Sequence, residues 1–148
     1  MYLKKIFKNK KVIITGHTGF KGSWLTAWLK QVGANVMGIS LDPPTKPSHF
    51  EASKITSGIK DVRLDIRDRK KLEKKILSFK PNFVFHLAAQ SLVRTSYKNP
   101  ELTWQTNVFG TLNILQSLRK LKTNCNVVII TSDKCYFNKE QHYGYKET

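Results

Sequence analysis

Apolar residues along this chain form five short runs, and the segments between them carry apolar residues every three or four positions. The runs cover residues 12–14, 35–41, 59–64, 83–87 and 126–131, and most are rich in Val and Ile. Short apolar runs bounded by polar residues or Gly are typical of buried strands. The pattern therefore predicts five buried β-strands.

Three longer segments have the periodicity of amphipathic helices, over residues 20–32, 72–79 and 100–121. The predicted buried faces are Phe20, Trp24, Leu25, Trp28, Leu29 and Val32 in the first, Leu72, Ile76 and Phe79 in the second, and Val108, Phe109, Leu112, Leu115 and Leu118 in the third. Asn107 and Gly110 stand beside the third face, and helix packing alone would explain the glycine. Residues 43–57 are expected to be a loop with a short helix at most.

Strands that alternate with helices indicate an α/β protein with parallel strands and right-handed crossovers. We predict a Rossmann-type doubly wound parallel sheet with strand order 3-2-1-4-5, incomplete at its carboxyl end. Residues 1–148 would form one dinucleotide-binding domain.

Three glycines follow the first strand in the pattern G-x-x-G-x-x-G, at Gly16, Gly19 and Gly22. Glycine permits a tight turn, a close approach of the backbone to a pyrophosphate, and close packing of helix on strand. The N-terminus of the following helix favours an anion. Strand, glycine loop, helix and strand together predict a dinucleotide site.

Other candidate residues lie where predicted strands end, which is where ligands bind in such sheets. Asp42 is placed to contact the adenosine ribose, but Pro43 and Pro44 follow it, so a turn role is equally open. Ala88 and Ala89 are small enough to admit a flat ligand, and close packing is the alternative explanation. Lys21 would favour a cofactor with a 2′-phosphate and Asp42 would oppose one.

Composition narrows the class of protein. The 148 residues, 40% hydrophobic and 24% charged, suit one soluble globular domain. We find no run of signal-peptide or membrane-span type and expect a cytoplasmic protein with no membrane partner. Cys125 and Cys135 are expected to be reduced thiols, and the scattered histidines predict no metal site.

A formal charge of +16 raises the possibility of a nucleic-acid partner. The densest basic runs, residues 4–11 and 67–75, are rich in lysine and lie at the amino terminus and on a predicted helix. Such a distribution is typical of a solvated surface, so we expect no nucleic-acid partner.

Several motifs together resemble the extended short-chain dehydrogenase/reductases, and within them the CDP-glucose 4,6-dehydratases. The resemblance rests on GHTGFKGSWL (16–25), HLAAQSLVRTSY (86–97) and TSDKCY (131–136), with further matches at 41–51, 61–68 and 106–115. It implies a tightly held NAD, a CDP-glucose substrate, oxidation at C4, loss of water from C5 and C6, and reduction at C6. The product would be a 4-keto-6-deoxy sugar nucleotide for surface polysaccharides such as lipopolysaccharide.

The resemblance also implies roles for individual residues. It assigns cofactor contacts to Gly16, Thr18, Gly19, Phe20, Lys21, Gly22, Asp65, Ile66, Leu87, Ala88, Ala89 and Asn107. Gln90 and Arg94 would contact substrate, Ser132 would bond a sugar hydroxyl, and Asp133 would protonate the departing C6 oxygen. Lys134 stands where related dTDP-glucose dehydratases have a glutamate base. It would act either as a base with a lowered pKa or as a fixed cation.

The family's Tyr-x-x-x-Lys pair has no match in this sequence, because Tyr143 and Tyr145 lack a lysine four positions on. We therefore expect an amino-terminal part of a longer, homo-oligomeric enzyme, inactive by itself, with the pair and the substrate domain beyond Thr148. Another nucleotide-sugar epimerase or reductase is the first alternative. A non-catalytic NAD-binding or nucleic-acid-binding protein is the second.

Overall fold

The computed structural model describes residues 2–132 and 135–147. Its five strands form one parallel sheet with the order β3-β2-β1-β4-β5, which confirms the predicted topology. The strands are β1 (Lys11–Thr15), β2 (Asn35–Ser40), β3 (Lys60–Arg63), β4 (Phe83–His86) and β5 (Asn126–Ile129).

Helices cover both faces of the sheet. They are α1 (Tyr2–Phe7), α2 (Phe20–Gln31), α3 (His49–Ala52), α4 (Arg69–Phe79), α5 (Val93–Lys98), α6 (Pro100–Trp104) and α7 (Thr111–Leu118), with a π-helical segment (Gln105–Gly110) between α6 and α7. The short α3 and the end of α4 before Pro81 agree with the predictions. Neither α1 nor α5 is predicted by the hydrophobic pattern of the sequence.

The alternation of side chains along β1 divides the core into two layers. Ile13 points toward α4 and α7, where it joins Leu72, Ile76 and Ile114. Val12 and Ile14 point to the opposite layer, where they meet Leu29 of α2. Both faces of the central strand are therefore buried, as its continuous apolar run predicts.

The predicted buried face of the helix after the glycine loop is correct for Leu25, Leu29 and Val32, which pack in the core, and wrong for its three aromatic residues. Phe20, Trp24 and Trp28 are 72%, 55% and 51% exposed. The buried residues of this helix are Gly22, Ser23, Thr26 and Leu29. Small side chains let the helix backbone approach the sheet closely, so the aromatic side faces outward.

The third predicted helix also needs correction. It is divided into α6, the π-helical segment and α7, and its buried residues from position 105 onward are Gly110, Ile114 and Ser117. Leu118 does pack against the core. The other four members of the predicted face are exposed: Val108, Phe109, Leu112 and Leu115. Gly110 explains the choice of face, because a Cβ there would lie 2.5 Å from Cδ1 of Ile66.

Among the described residues, no helix combines the length and the apolar character required to cross a lipid bilayer.

Candidate functional site

The candidate site is a crevice at the carboxyl ends of the parallel strands. The glycine loop follows β1, Asp42 follows β2, Asp65 follows β3, Leu87 follows β4, and Ser132 lies just beyond β5. The parallel register brings these ends to one edge of the sheet. Ligands of doubly wound sheets bind at this edge.

Two positions of the glycine loop, Gly16 and Gly22, leave no space for a side chain. Gly16 has φ +73°, and its N–H donates to the Ile39 carbonyl at 2.9 Å. A Cβ on Gly22 would overlap the Gly16 carbonyl oxygen and lie 2.9 Å from Cα of His17. Helix α2 therefore starts in direct backbone contact with the turn, and Gly22 is required there for steric reasons.

The N-terminus of α2 is open to an anion. Gly19 is the N-cap of this helix, and no side-chain capping hydrogen bond is formed there among the described residues. The first backbone N–H groups of a helix have no partner inside the helix, and the helix dipole adds positive potential. Phe20 and Lys21 are exposed in this turn. The loop thus has the donors and the space that a phosphate needs.

Thr18 connects the glycine loop to β2. Its hydroxyl lies 2.8 Å from the Ser40 hydroxyl and 3.0 Å from the Leu41 carbonyl, and the residue is 4% exposed. The side chain is thus engaged with the end of β2, and any contact of Thr18 with a cofactor stays a prediction.

His17, the second residue of the loop, points into the protein. Its ring lies against Gly38, and its Nε2 is 2.9 Å from Oδ1 of Asp61. Burial lowers the pKa of His17, although the hydrogen bond and charge of Asp61 oppose this shift. The neutral ring therefore donates its Nε2–H to the carboxylate and connects the loop to β3.

Arg63 extends this network to the end of β2. Asp61 accepts a hydrogen bond from its Nη2 at 2.9 Å, and its Nη1 donates to the Leu41 carbonyl at 2.9 Å. The guanidinium also lies over the Phe50 ring, 5.0 Å from its centroid. Asp42 is 3.7 Å from Nε of Arg63, and its side chain is 90% exposed. An exposed carboxylate fits either of its predicted roles.

Asp65 is held rigidly by Arg67. Its carboxylate accepts from the Arg67 backbone N–H at 2.9 Å and from Nε and Nη2 at 2.9 and 2.6 Å. These hydrogen bonds hold the pKa of Asp65 below its usual range, so it is ionised at neutral pH. The Ile66 side chain is buried in the core against Gly110, and its carbonyl oxygen accepts from the Asn113 side chain at 3.1 Å, so the predicted cofactor contact of Ile66 stays a prediction.

The segment after β4 forms the opposite wall of the turn. The amides of Leu87 and Ala88 both donate to Oγ1 of Thr15 at 3.2 Å. A Cβ on Gly16 would lie 2.8 Å from the Ala88 nitrogen. Ala88 therefore packs against the glycine turn, as the packing alternative expects, while Ala89 is exposed.

Gln90 and Asn107 are joined by a reciprocal pair of hydrogen bonds. Asn107 accepts from the Gln90 amide at 2.7 Å and donates to the Gln90 carbonyl at 2.9 Å. The Gln90 side chain bonds Leu92 and Thr103. Asn107 lies in the π-helical segment, a conformation often found at functional sites. Asn107 thus fixes the loop that carries Gln90.

Arg94 and Ser132 are the last of the predicted site residues that the structure describes. Arg94 is exposed on α5, and Ser132 is exposed after β5, where its carbonyl accepts from the Cys135 amide at 3.4 Å. Asp133 and Lys134 lie outside the described residues. Within the ranges 2–132 and 135–147, no group of three or more His, Cys, Asp or Glu side chains is arranged to hold a metal ion.

Sequence reasoning assigned no role to five residues that organise this edge: Thr15, His17, Asp61, Arg63 and His86. Four of them are polar residues within or at the ends of strands, which is a detectable signal in a predicted buried sheet. Their partners depend on strand register and on tertiary contacts. No local sequence pattern reveals these hydrogen-bond partners.

Comparison with known proteins agrees with this geometry. The chain is 49% identical over 144 residues to the CDP-glucose 4,6-dehydratase of Salmonella typhimurium, covering 97% of this chain and 40% of that protein. Its fold matches the epimerase Mth375 of Methanothermobacter thermautotrophicus with a TM-score of 0.80 and 27% identity, over 99% of this chain and 42% of that one. It also matches the UDP-glucose 4-epimerase of Brucella ovis in complex with NAD, with a TM-score of 0.68 and 27% identity, over 81% of this chain and 35% of that one.

The chain thus spans about 40% of the length of the curated relative. The family model described as GDP-mannose 4,6 dehydratase matches residues 13–148. The resemblance seen in the sequence motifs is confirmed at the level of the family. The chain belongs to the GDP-mannose 4,6-dehydratase family.

Proposed function

We propose that the full-length protein is an NAD-dependent CDP-glucose 4,6-dehydratase and that residues 1–148 form its NAD-binding domain. The cofactor part is supported by the crevice, where a side-chain-free glycine turn meets the uncapped N-terminus of α2. The substrate part is supported by 49% identity to an enzyme of that name. NAD also fits the exposed carboxylate of Asp42 at the end of β2.

The backbone amides of the glycine loop and of the first turn of α2 would hold the pyrophosphate. Asp42 would accept hydrogen bonds from the ribose hydroxyls, and the alternative role for this residue is in the turn before Pro43. The region of Asp65 and Ile66 would border the adenine, and Leu87, Ala88 and Ala89 would lie along the cofactor. When bound, NAD accepts a hydride from C4 of the glucosyl unit and returns it to C6.

Proton transfers would be carried out by side chains near the end of β5. Ser132 would hydrogen-bond the sugar hydroxyl, and Asp133 would give its proton to the departing C6 oxygen, so that water leaves. The C5 proton is lost in the same elimination, and a proton returns to C5 after hydride reaches C6. Lys134 would serve as the C5 base or as a fixed cation beside the developing enolate. Gln90 and Arg94 are proposed to contact the substrate.

This reaction would take place in the cytoplasm and supply deoxysugars for lipopolysaccharide, without a nucleic-acid or membrane partner. We also propose that the full-length protein is a homo-oligomer. The supporting observation is an apolar stripe along the helix from α6 to α7, whose members are 39% to 63% exposed: Trp104, Val108, Leu112 and Leu115. Contiguous exposed apolar surface of this kind is typical of an interface.

The proposal is tested by incubating the full-length protein with NAD and, separately, CDP-glucose, UDP-glucose, dTDP-glucose and GDP-mannose. Product NMR should show a 4-keto-6-deoxy sugar from CDP-glucose at the highest rate. Release of a 4-hydroxy sugar would instead identify an epimerase, and preference for another nucleotide would overturn the substrate assignment.

Asp133→Asn should lower the rate by at least about a hundredfold, since general acid catalysis contributes roughly that much or more. Asp68→Asn is the matched control, because Asp68 caps α4 by accepting from the Lys71 amide and pairs with Nζ of Lys71 at 2.9 Å, with no part in the proposed chemistry. Equal rates in the two variants would remove Asp133 from the proposed chemistry.

A further inference from the structure

A buried chain of hydrogen bonds lies behind the crevice, and it is centred on His86. His86 is the last residue of β4, is 2% exposed, and pairs in register with Thr15, the fully buried last residue of β1. Its Nδ1 is 2.6 Å from Oγ1 of Thr15. Its Nε2 is 2.9 Å from Oγ1 of Thr111 at the start of α7. Both ring nitrogens are therefore paired with hydroxyl groups.

The Thr15 end of the chain determines one proton position. Oγ1 of Thr15 accepts from the Ala88 amide at 3.2 Å and shares the Leu87 amide with the Thr15 carbonyl oxygen, which is 3.1 Å from that nitrogen. A hydroxyl has two acceptor lone pairs and one hydrogen. Because two N–H groups already point at this oxygen, the arrangement favours donation of the Thr15 hydrogen to His86, with no proton on Nδ1.

The Thr111 end requires the same tautomer independently. Oγ1 of Thr111 lies 2.7 Å from the Asn107 carbonyl oxygen, which is an acceptor only. The Thr111 hydrogen therefore goes to Asn107, and its oxygen accepts from His86. Nε2 of His86 must carry the proton. Two ends of the network, built from different elements, agree on a neutral Nε2–H imidazole.

We propose that His86, as this single tautomer, is a positioning residue that locks the segment after β4 and the π-helical segment to the end of β1. The connection reaches the crevice through Asn107, whose side chain holds both backbone groups of Gln90. It also reaches the glycine turn, since Ala88 is held against Gly16. The tautomer and the hydrogen bonds that lock these segments do not depend on the proposed function. Only the expectation that the locking strengthens cofactor binding rests on it.

Burial supports the assignment, because it lowers the pKa of His86 to about 4 and keeps the ring neutral at pH 7. A protonated ring would direct its Nδ1–H at Oγ1 of Thr15, an oxygen at which the Ala88 amide and the shared Leu87 amide already point. The hydrogen-bond network therefore requires a neutral His86 ring.

The tautomer is measured directly by long-range proton–nitrogen NMR on histidine-labelled protein at pH 7 without cofactor. His86→Gln identifies the signals by removing them. We expect a protonated Nε2 and an unprotonated Nδ1. A protonated Nδ1, or an average of the two tautomers, overturns the proposal whether or not the protein binds NAD.

Locking is tested by amide hydrogen exchange in Thr111→Val. Exchange at Ala88 and Gln90 should become about tenfold faster, the change expected for a lost hydrogen bond near the upper end of its net range. Thr111→Ser should restore the slow rates, and Thr123→Val, an exposed loop change, should leave them unaltered. Unchanged exchange at Gln90, or equal acceleration at Ile13 in the core of β1, contradicts a positioning role.

Discussion

Replacement of Gly22 by Ala perturbs the contact on which the crevice depends. The new Cβ would overlap the Gly16 carbonyl oxygen and lie 2.8 Å from the Gly16 carbonyl carbon. Both are backbone atoms of a turn that is itself held by the Ile39 carbonyl, so they have little freedom to shift. Helix α2 must then move away from the loop, and its first N–H groups move with it.

The size of the effect follows from two opposing contributions. Overpacking of this kind costs about 1–3 kcal/mol or more. Ala in a helix gains about 1 kcal/mol over Gly. Because the overlap is with backbone, we take the upper value and expect a net loss of about 2 kcal/mol in the free energy of unfolding. NAD affinity should fall by at least about tenfold, since 1.4 kcal/mol corresponds to a factor of ten.

Two other glycines provide a graded control. A Cβ on Gly19 would meet only the Gly16 carbonyl oxygen, at 3.3 Å, and one on Gly144 would have no atom within 4 Å. Urea unfolding should therefore rank Gly22→Ala as most destabilising, Gly19→Ala as mild and Gly144→Ala as neutral. NAD titration of tryptophan fluorescence should give the same order. A stable Gly22→Ala that binds NAD normally would refute the steric argument.

Three further predictions concern ionisation, cofactor choice and assembly. The folded-state pKa of His86 is about 4, and that of His17 is lowered from 6.5. The free energy of unfolding should therefore be constant above pH 6.5 and fall toward pH 4 as the unfolded chain takes up protons, with His86 alone accounting for about 3 kcal/mol once the pH is below its folded-state pKa. Urea midpoints that stay constant between pH 7 and 4 would contradict this. Asp61→Asn removes the carboxylate that pairs with Arg63 beside Asp42. Competitive titration should then show the ratio of NADP affinity to NAD affinity rising by up to about tenfold. An unchanged ratio would show that this arginine does not reach the cofactor. Leu112→Glu places a charge in the exposed apolar stripe and should convert the full-length oligomer to monomers in sedimentation analysis, and an unaltered assembly would place the interface elsewhere.

The strand topology was predictable because its signals are local. The apolar run that begins at Val12 is buried on both sides, which only a central strand of a covered sheet requires. The glycine spacing was equally informative, because the contacts of Gly19 and Gly22 with Gly16 lie within seven residues of chain. The family motifs follow the strands, and the structure brings those strand ends to one edge of the sheet.

The helix faces were not predictable from hydrophobic periodicity, for a physical reason. Close approach of α2 to the sheet needs Gly22, Ser23 and Thr26 at the contact, and these residues carry no apolar signal. In the third helix, the π-helical segment changes the number of residues per turn, so a pattern projected at 3.6 residues places the buried side incorrectly. Aromatic residues were then assigned to the core when they face outward.

The crevice is shaped by contacts that lie behind it and do not line it. Gly22 sets the distance between α2 and the turn, His86 sets the segment after β4, and Asp61 holds the end of β2 through Arg63. Each of these contacts joins residues far apart in sequence or positions a backbone group that has no side chain to reveal it. Motifs therefore identify which loops meet a ligand, while the geometry of those loops is fixed by buried polar residues. Such residues are recognised only when strand register and burial are known.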